Sequence, residues 1–278
     1  FIYKSIIYYS KRKIGVFRLI TKKEIKTLGS LSTRKHRRKN GLFLFEGVRI
    51  ISEAIAAKTP HIQIYVTESF LKNPKQSRFM QTIKKASPDF KIIKDGIINK
   101  ISGTVTPSGI IATCPIPTQK TANFSKKSNW IYLDQIRDPG NLGTILRASA
   151  WFGITNVALS PNCADPYCPK TVRAGMGSHF YLSIIRDINL IEYKNKNFTI
   201  IGADQNGIPY SEDMINRKTP WVLVLGSESH GISPKNYSLL THTVSIPKLG
   251  TGESLNMAIA GGILLHQLTL FSNKKEKS

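Results

Sequence analysis

The chain has 278 residues, 41% of them hydrophobic, which is enough for about two domains with real cores and argues against disorder throughout. Forty Lys and Arg against seventeen Asp and Glu leave a formal charge of +23, which favours a polyanionic partner, above all nucleic acid, although charge alone also fits a solubility effect. No apolar run reaches membrane-spanning length and three cysteines cannot all pair, so we expect a cytoplasmic protein with no membrane partner.

The N-terminal 40 residues carry about half of the net charge, with thirteen Lys or Arg and one acid between Lys4 and Lys39. The densest part shows no apolar periodicity, which predicts a solvated arm or turn rather than core. We expect this basic extension, residues 1–40, to contact RNA phosphates, or else to be an undirected basic tail. The predicted RNA-binding residues are Arg34, Lys35, Arg37, Arg38 and Lys39.

Short apolar runs alternate with helical spacings over residues 41–114, which predicts a small α/β domain. A Pro-rich, polar linker follows at residues 115–124. The predicted strands cover residues 42–45, 62–66, 91–93 and 109–112, and the predicted helices begin at residues 48 and 95.

The second half contains six short apolar runs separated by helical or loop stretches, which is typical of a mainly parallel sheet covered on both faces. In such sheets ligands bind at the carboxyl ends of the strands. We expect this domain to cover residues 125–272, with a basic tail at residues 273–278. The predicted strands cover residues 130–134, 157–160, 182–185, 198–202, 221–225 and 243–246.

The first motif, residues 138–147, reads Asp-Pro-Gly-Asn-Leu-Gly-Thr-Ile-Leu-Arg and predicts a turn that opens a helix. The apolar stripe of this helix leaves Arg147 away from the core face, about 9 Å along the axis from Asn141. Arg147 is then free to face a ligand or a partner chain. The alternative is that Asn141 only caps the helix and Arg147 is a solvated charge.

The second motif is a buried strand that runs into Gly226, Ser227 and Glu228, where a ligand is able to approach the main chain closely. A serine hydrolase elbow does not fit, because Ser229 would need a glycine at position 227. A dinucleotide-binding loop lacks support, because no strand leads into its glycine pattern.

The third motif, residues 245–258, combines a strand end, a glycine-rich loop and the opening of a helix. Ser254 and Asn256 stand at the helix start, where a polar side chain caps, binds a ligand, or does both. The helix is apolar nearly all round, with small residues at Ala260, Gly261 and Gly262. We expect its own sheet to cover one side and a second subunit to cover the other.

Taken in order, residues 141–147, 225–231 and 246–258 resemble the three motifs of the SpoU (TrmH-type) branch of the SPOUT RNA methyltransferases. Residues 43–49, Phe-Leu-Phe-Glu-Gly-Val-Arg, resemble the start of the ribosomal-protein-like RNA-binding domain that often precedes that branch. The resemblance implies an α/β protein in which a small ribosomal-protein-like domain precedes a trefoil-knotted, parallel-sheet SPOUT domain that acts as a homodimer.

The resemblance also assigns roles by position. It implies that Arg147 helps to activate a ribose hydroxyl, and that Arg173 meets RNA, although the Ala-Gly-Met-Gly-Ser segment after Arg173 departs from the family pattern. The further candidate catalytic residues are Asn141, Glu228, Ser254 and Asn256. The positions implied to hold S-adenosylmethionine, largely through main-chain groups, are Leu225, Gly226, Ser227, Ile246, Leu255 and Asn256.

The implied function is methyl transfer from S-adenosylmethionine to a ribose 2′-hydroxyl of RNA, with ribosomal RNA favoured over transfer RNA and guanosine over other bases. A transfer RNA 2′-O-methyltransferase and a catalytically silent RNA- or ribosome-binding protein on the same fold remain open alternatives. We expect no metal, because a guanidinium near the attacking oxygen favours its deprotonated form. Cys163, Cys168 and His179 also lack the second cysteine pair of a zinc finger.

Overall fold

The structure is a computed structural model that describes residues 18–86, 90–118, 124, 128–214 and 219–272. These residues divide into two compact units: unit 1 holds those up to Pro117 together with Tyr167–Phe180, and unit 2 holds the others. Three predicted segments lie wholly or partly outside the described residues: residues 1–17 of the extension, residues 119–123 of the linker, and the tail at 273–278. Within the described ranges, no helix is long and apolar enough to cross a bilayer.

Unit 1 contains a mixed five-stranded sheet flanked by helices. Its strands are β1 (Arg18–Leu19), β2 (Leu42–Glu46), β3 (Gln63–Thr67), β4 (Lys91–Ile93) and β5 (Ile110–Pro115), in the order β1-β4-β3-β5-β2. Strands β1, β4 and β3 are parallel, and β5 is antiparallel to both β3 and β2. The helices are α1 (Lys22–Ser30), α2 (Arg34–Asn40), α3 (Val48–Ala56), α4 (Glu68–Lys72), α5 (Ser77–Ala86) and α6 (Asp95–Ile101).

Side chains alternate between the two faces of this sheet, and each face has a core of its own. On edge strand β2, Phe43 and Phe45 lie in one cluster, together with Ile51 of α3. Leu44 lies in the other cluster, together with Leu28 of α1 and buried residues of β3, β4, β5 and α6. The predicted strands of this domain and the two predicted helices, α3 and α6, are all present, with ends shifted by at most three residues.

The prediction of a solvated basic arm is wrong for the described part of the extension. Residues 22–40 form α1 and α2, and α1 begins with a capping box between Thr21 and Glu24. Leu28 and Leu31 are buried in the core of unit 1. The apolar residues between the lysines therefore decide the structure of this segment, and residues 20–40 belong to unit 1.

Arg37 is also buried, with 2% of its surface exposed. Its Nη1 donates to the main-chain oxygens of Leu31 and Ser32, at 2.8 and 2.7 Å. Since these carbonyls precede α2, Arg37 holds the turn between the two helices. Arg37 therefore has a structural role, and its burial leaves almost no surface for the RNA contact that was predicted for it.

Unit 2 contains a six-stranded sheet in the order β11-β9-β10-β6-β7-β8, with every neighbouring pair parallel, as predicted. Its strands are β6 (Trp130–Leu133), β7 (Asn156–Leu159), β8 (Ser183–Arg186), β9 (Thr199–Pro209), β10 (Trp221–Leu225) and β11 (His242–Ser245). The longer helices are α7 (Pro139–Trp151) and α11 (Met257–Ser272), with short helices α9 (Ile191–Lys194) and α10 (Pro234–Tyr237). Ile131 and Leu133 of β6 lie in one core cluster, and Trp130 and Tyr132 lie in the other, so both faces are covered.

Helix α11 packs closely against α7 and β10. A Cβ at Gly261 would lie 2.5 Å from Ile145 Cδ1 and 2.6 Å from Leu225 Cδ1, so any larger residue there would have to displace these side chains. The close packing expected of the small residues is therefore confirmed at Gly261. The opposite stripe of α11, with Ile259 and Ile263, is exposed.

The segment Tyr167–Phe180 was predicted to belong to the second domain but packs in unit 1. It contains the short helix α8 (Pro169–Gly175). Tyr167 and Val172 are buried in the same cluster as Phe43, and the rings of Tyr167 and Phe43 lie 5.0 Å apart. The segment is apolar enough for either core, so its sequence position did not indicate which one it joins.

Candidate active site

A cavity of about 780 Å³ opens at the carboxyl ends of β9, β10 and edge strand β11 of unit 2. It is lined by the outer part of β9, by the loops that follow β10 and β11, and by the start of α11. Its volume falls within the range of about 300–1,000 Å³ that is usual for cofactor sites. The residues predicted to bind the cofactor all line it: Leu225, Gly226, Ser227, Ile246, Leu255 and Asn256.

The loop after β10 folds tightly on itself. Ser227 and Gly231 exchange both main-chain hydrogen bonds at 2.9 Å. A Cβ at Gly226 would lie 2.1 Å from the carbonyl carbon of Gly231 and 2.2 Å from the nitrogen of Ile232. Gly226 is therefore required by the loop itself, and its replacement would test the shape of the loop rather than a ligand contact.

Buried Asp134, which follows β6, anchors the far end of that loop. Its carboxylate accepts a hydrogen bond from the main-chain N–H of Ser233 at 2.8 Å, and its own N–H donates to the carbonyl of Leu225. The loop that lines the cavity is thus fixed at both ends to β6.

Three polar side chains, one from each motif, form a continuous chain of hydrogen bonds at the edge of the cavity. Asn141 Nδ2 donates to Glu228 Oε1 at 2.7 Å, and Asn256 Nδ2 donates to Asn141 Oδ1 at 3.1 Å. Asn141 does not line the cavity, whereas its two partners do. The motifs, up to 115 residues apart in sequence, therefore meet at one point.

Helix α7 orients Asn141 through its own N-terminus. Asp138 is the N-cap and accepts a hydrogen bond from the main-chain N–H of Asn141 at 2.8 Å, so the cap is Asp138 and the side chain of Asn141 is free for the network. Arg147 is exposed on the stripe that also carries Thr144 and Trp151. The structure does not bring Arg147 into the cavity lining.

Asn256 both caps helix α11 and takes part in the hydrogen-bond network at the cavity. Its Oδ1 accepts from the main-chain N–H groups of Ala258 and Ile259, at 2.9 and 3.3 Å, which caps α11. Its Nδ2 remains available for Asn141. Ser254 also lines the cavity and is exposed.

The cavity is acidic although the chain is strongly basic. The carboxylates of Asp204, Glu228 and Glu253 line it, and Lys248 is the cation among its lining residues. Three acids and one base give a formal local charge of −2, against +23 for the chain. The local potential therefore favours a cationic ligand.

The residues of the cavity that sequence reasoning missed are Asp204, Gln205 and Asn206. Strands β9 and β11 shift register between Thr243 and Val244, which leaves residues 203–207 as a bulge. The sequence did contain a signal for this bulge, because the turn-forming residues Asp-Gln-Asn-Gly follow the apolar run whose predicted strand ends at residue 202.

Comparison with known proteins decides the family. The SpoU rRNA Methylase family model matches residues 128–266, half of the chain, and the MRM3-like substrate binding domain model matches residues 22–112. The chain belongs to the SpoU rRNA Methylase family. This confirms the expectation of a SpoU-type RNA methyltransferase with an N-terminal substrate-binding domain.

Individual relatives of this SpoU methylase agree with that assignment. It is 32% identical to the 23S rRNA (guanosine(2553)-2′-O)-methyltransferase RlmP of Bacillus subtilis, over 88% of this chain and 95% of the relative. A solved RNA 2′-O ribose methyltransferase matches with a TM-score of 0.74 and 26% identity, covering 91% of this chain and 96% of the other. The SpoU methyltransferase AviRb from Streptomyces viridochromogenes, solved with AdoMet, shares the fold with a TM-score of 0.76 and 23% identity, covering 90% and 98%.

The predicted RNA-binding residues of this SpoU methylase divide into three groups. Arg34, Lys35, Arg38 and Lys39 are exposed on α2 and remain candidates. Arg37 is buried and holds the turn before α2. Arg173, in unit 1, is partly exposed and donates from Nη1 to Glu46 Oε1 at 3.2 Å, so an ion pair holds it in place.

Proposed function

We propose that this SpoU methylase transfers a methyl group from S-adenosylmethionine to a ribose 2′-hydroxyl of ribosomal RNA, in the cytoplasm. The single observation that carries the proposal is the hydrogen-bonded chain Glu228–Asn141–Asn256 at the mouth of an acidic cavity. Family membership supports RNA methylation, and the ribosomal RNA named for RlmP supports that substrate class.

The cavity fits S-adenosylmethionine in size and in charge. The cofactor carries a sulfonium and an ammonium cation against one carboxylate, and the three acidic side chains of the lining match that excess of positive charge. Leu225, Ile246 and Leu255 line the cavity at the ends of strands and in the loop before α11, and we propose that they hold the nucleoside part. Residues 225–231 and 246–256 are therefore the proposed cofactor site.

The reaction needs an oxygen nucleophile placed in line with an electrophilic methyl group. When bound, S-adenosylmethionine supplies that methyl on a sulfonium that leaves as a neutral thioether. The amide nitrogen of Asn141 donates to Glu228 and its amide oxygen accepts from Asn256, so Glu228 is held in a fixed orientation. The carboxylate of Glu228 keeps further acceptor positions for the ribose hydroxyl. The O–H bond breaks as the O–C bond forms, and the proton passes to an RNA phosphate or to water.

Arg147 is the proposed source of positive charge at the attacking oxygen. A guanidinium stays charged at neutral pH and favours the deprotonated hydroxyl, which makes it a better nucleophile. Because Arg147 lies on the exposed stripe of α7, substrate or a second subunit reaches it without rearrangement of the core. Asn141, Ser254 and Asn256 are the proposed positioning residues around it.

A homodimer is part of the proposal, as is the trefoil knot that the family resemblance implies for the catalytic domain. Trp151, Ile259, Ile263 and Leu270 form exposed apolar stripes on the two packed helices α7 and α11, with Trp151 85% exposed. A second copy of this chain is the occupant proposed for that face, because Arg147 shares the stripe of Trp151 and would then lie at the subunit boundary.

The proposed nucleotide is guanosine, which is also the nucleotide named for RlmP. The experiment is methyl transfer from labelled S-adenosylmethionine to ribosomal RNA from cells that lack the gene, followed by mapping of 2′-O-methyl positions. One new methylated guanosine is expected. Methylation of transfer RNA alone would show that ribosomal RNA is not the substrate. Cofactor binding without any methyl transfer would favour a catalytically silent RNA-binding protein.

A further inference from the structure

Unit 1 contains a cavity of its own, with a volume of about 170 Å³. It lies beside the C-terminal end of edge strand β2 and is bounded by α1, the end of α6 and α8, all within unit 1. Its walls are mainly apolar, with Leu28, Leu44 and Val172 among them. This volume is below the usual range for whole cofactors but leaves room for one flat heterocycle.

The polar side of this cavity is centred on Glu46, whose side chain is 12% exposed. Ser102 donates a hydrogen bond to Glu46 Oε2, and Arg173 donates to Oε1 at 3.2 Å. A carboxylate offers about four acceptor positions, so two remain for a ligand. The site therefore presents a fixed acceptor inside an apolar wall.

Glycine at position 29 keeps one side of the cavity open. Gly29 lies in α1 and lines the cavity, and a Cβ built there would meet nothing within 4 Å. Neither close packing nor a left-handed backbone requires glycine at this position. A large side chain at position 29, whose Cβ would meet no neighbour, is therefore expected to extend across the edge of the cavity.

Cations surround the cavity. Lys100 and Arg173 line it. Ser32, also in its lining, is followed after one residue by α2, on which Arg34 and Lys35 are exposed. An RNA strand whose phosphates contact these cations would bring its bases to the cavity entrance.

We propose that this cavity binds one unpaired guanine base of the substrate RNA, with Glu46 accepting hydrogen bonds from guanine N1–H and N2–H. Guanine presents two adjacent donors on its Watson–Crick edge, which match the free acceptor positions of a carboxylate, whereas adenine presents one donor beside an acceptor. The proposal rests on the proposed function, in that RNA is the substrate, and it adds a base-reading site to the substrate-binding unit.

The test measures the anisotropy of labelled oligouridines that carry a single central guanosine, inosine or adenosine, with the full chain. Guanosine is expected to bind about tenfold more tightly than adenosine, which is the effect of one well-formed bidentate contact. Inosine, which lacks the 2-amino group, is expected to fall between them. Equal affinity for all three would overturn the proposal.

Two variants place the effect in the cavity. Gly29→Phe fills the opening and is expected to abolish the preference for guanosine, whereas Gly96→Phe adds the same ring to an exposed glycine of α6 that also has nothing within 4 Å and should preserve it. Glu46→Gln keeps the shape but loses the paired acceptor, and should lose the preference in the same way.

Calorimetry with S-adenosylmethionine accompanies every variant and should give unchanged affinity. A retained preference for guanosine in Gly29→Phe and in Glu46→Gln would show that the base is read elsewhere. Absence of methyl transfer together with an intact preference would instead contradict the proposed function and leave this site standing.

Discussion

The side chain of Asn256 carries two separable interactions, because its oxygen caps α11 and its nitrogen donates to Asn141. Asn256→Asp keeps the cap and removes the donor, whereas Asn256→Ala removes both. We expect both variants to lose most methyl transfer, but only the alanine variant to lose about 1 kcal/mol of stability through the cap. Thermal unfolding and initial rates measure the two effects separately; equal stability of the two variants would show that the cap contributes nothing.

Arg147 has no role in the core, so its replacement tests chemistry directly. Arg147→Ala should fold and bind S-adenosylmethionine like the parent while its kcat falls by about 100-fold or more, a typical loss for a group that stabilises developing negative charge. Lys194→Ala, which removes an exposed cation on α9 of the same unit, is the matched control. If both variants keep activity within a few-fold of the parent, Arg147 is a surface charge only.

The sequence motifs located the cavity but not its full lining. Gly226, Ile246 and Leu255 follow strands whose apolar pattern was clear, so their meeting at one sheet edge was predictable. Asp204 was missed because it sits in a bulge, and a bulge depends on the register of two strands that are far apart in sequence. The burial of Arg37 was missed for a related reason, since its acceptors are main-chain carbonyls that no side-chain pattern reveals.

At the scale of elements, the strands were easier to predict than the helices of unit 1. The strands are short apolar runs with turn residues between them, and all those predicted are present. Helices α1 and α2 were missed because lysine and arginine dominate them, and only Leu28 and the following Leu31 mark the buried side. The high density of basic residues thus hid the apolar pattern of two helices that contribute to the core.

That pair changes how the basic region is best tested. Deleting residues 1–40 would remove buried Leu28 and Leu31 and expose the core around Ile93, so weaker RNA binding would be ambiguous. Replacing Arg34, Lys35, Arg38 and Lys39 by Gln should leave the fold intact, because all four side chains are exposed. Filter binding across salt concentrations should show weaker RNA binding and a shallower slope of log affinity against log salt. The slope should change by up to about 0.9 for each RNA phosphate that the variant no longer neutralises.

The contrasting variant is Arg37→Gln. It leaves the exposed cations in place and removes the donor that holds the turn before α2, so we expect a lower melting temperature and an unchanged salt slope measured below the transition. A quadruple variant with the parental slope would place the RNA-binding surface on other residues.

At the scale of the whole molecule, the exposed apolar face of α7 and α11 predicts self-association. Trp151→Asp places a charge in that face, and sedimentation should show a shift from dimer to monomer together with loss of methyl transfer. Tyr181→Asp, another exposed aromatic residue of unit 2, should leave the oligomeric state unchanged. A parent chain that sediments as a monomer at assay concentration would exclude the dimer.

Unit 1 is not a continuous stretch of chain, because Tyr167–Phe180 supplies buried residues to its core. During synthesis, residues 18–117 therefore emerge without the side chains that cover Phe43, and this apolar surface stays uncovered until residue 180 has left the ribosome. Expressed alone, a fragment ending at residue 117 should bind a hydrophobic dye and aggregate, and a peptide of residues 167–180 should reduce both effects. In evolution, the same arrangement means that a single recombination event cannot exchange the whole substrate-binding unit, because two separate segments of the gene encode it.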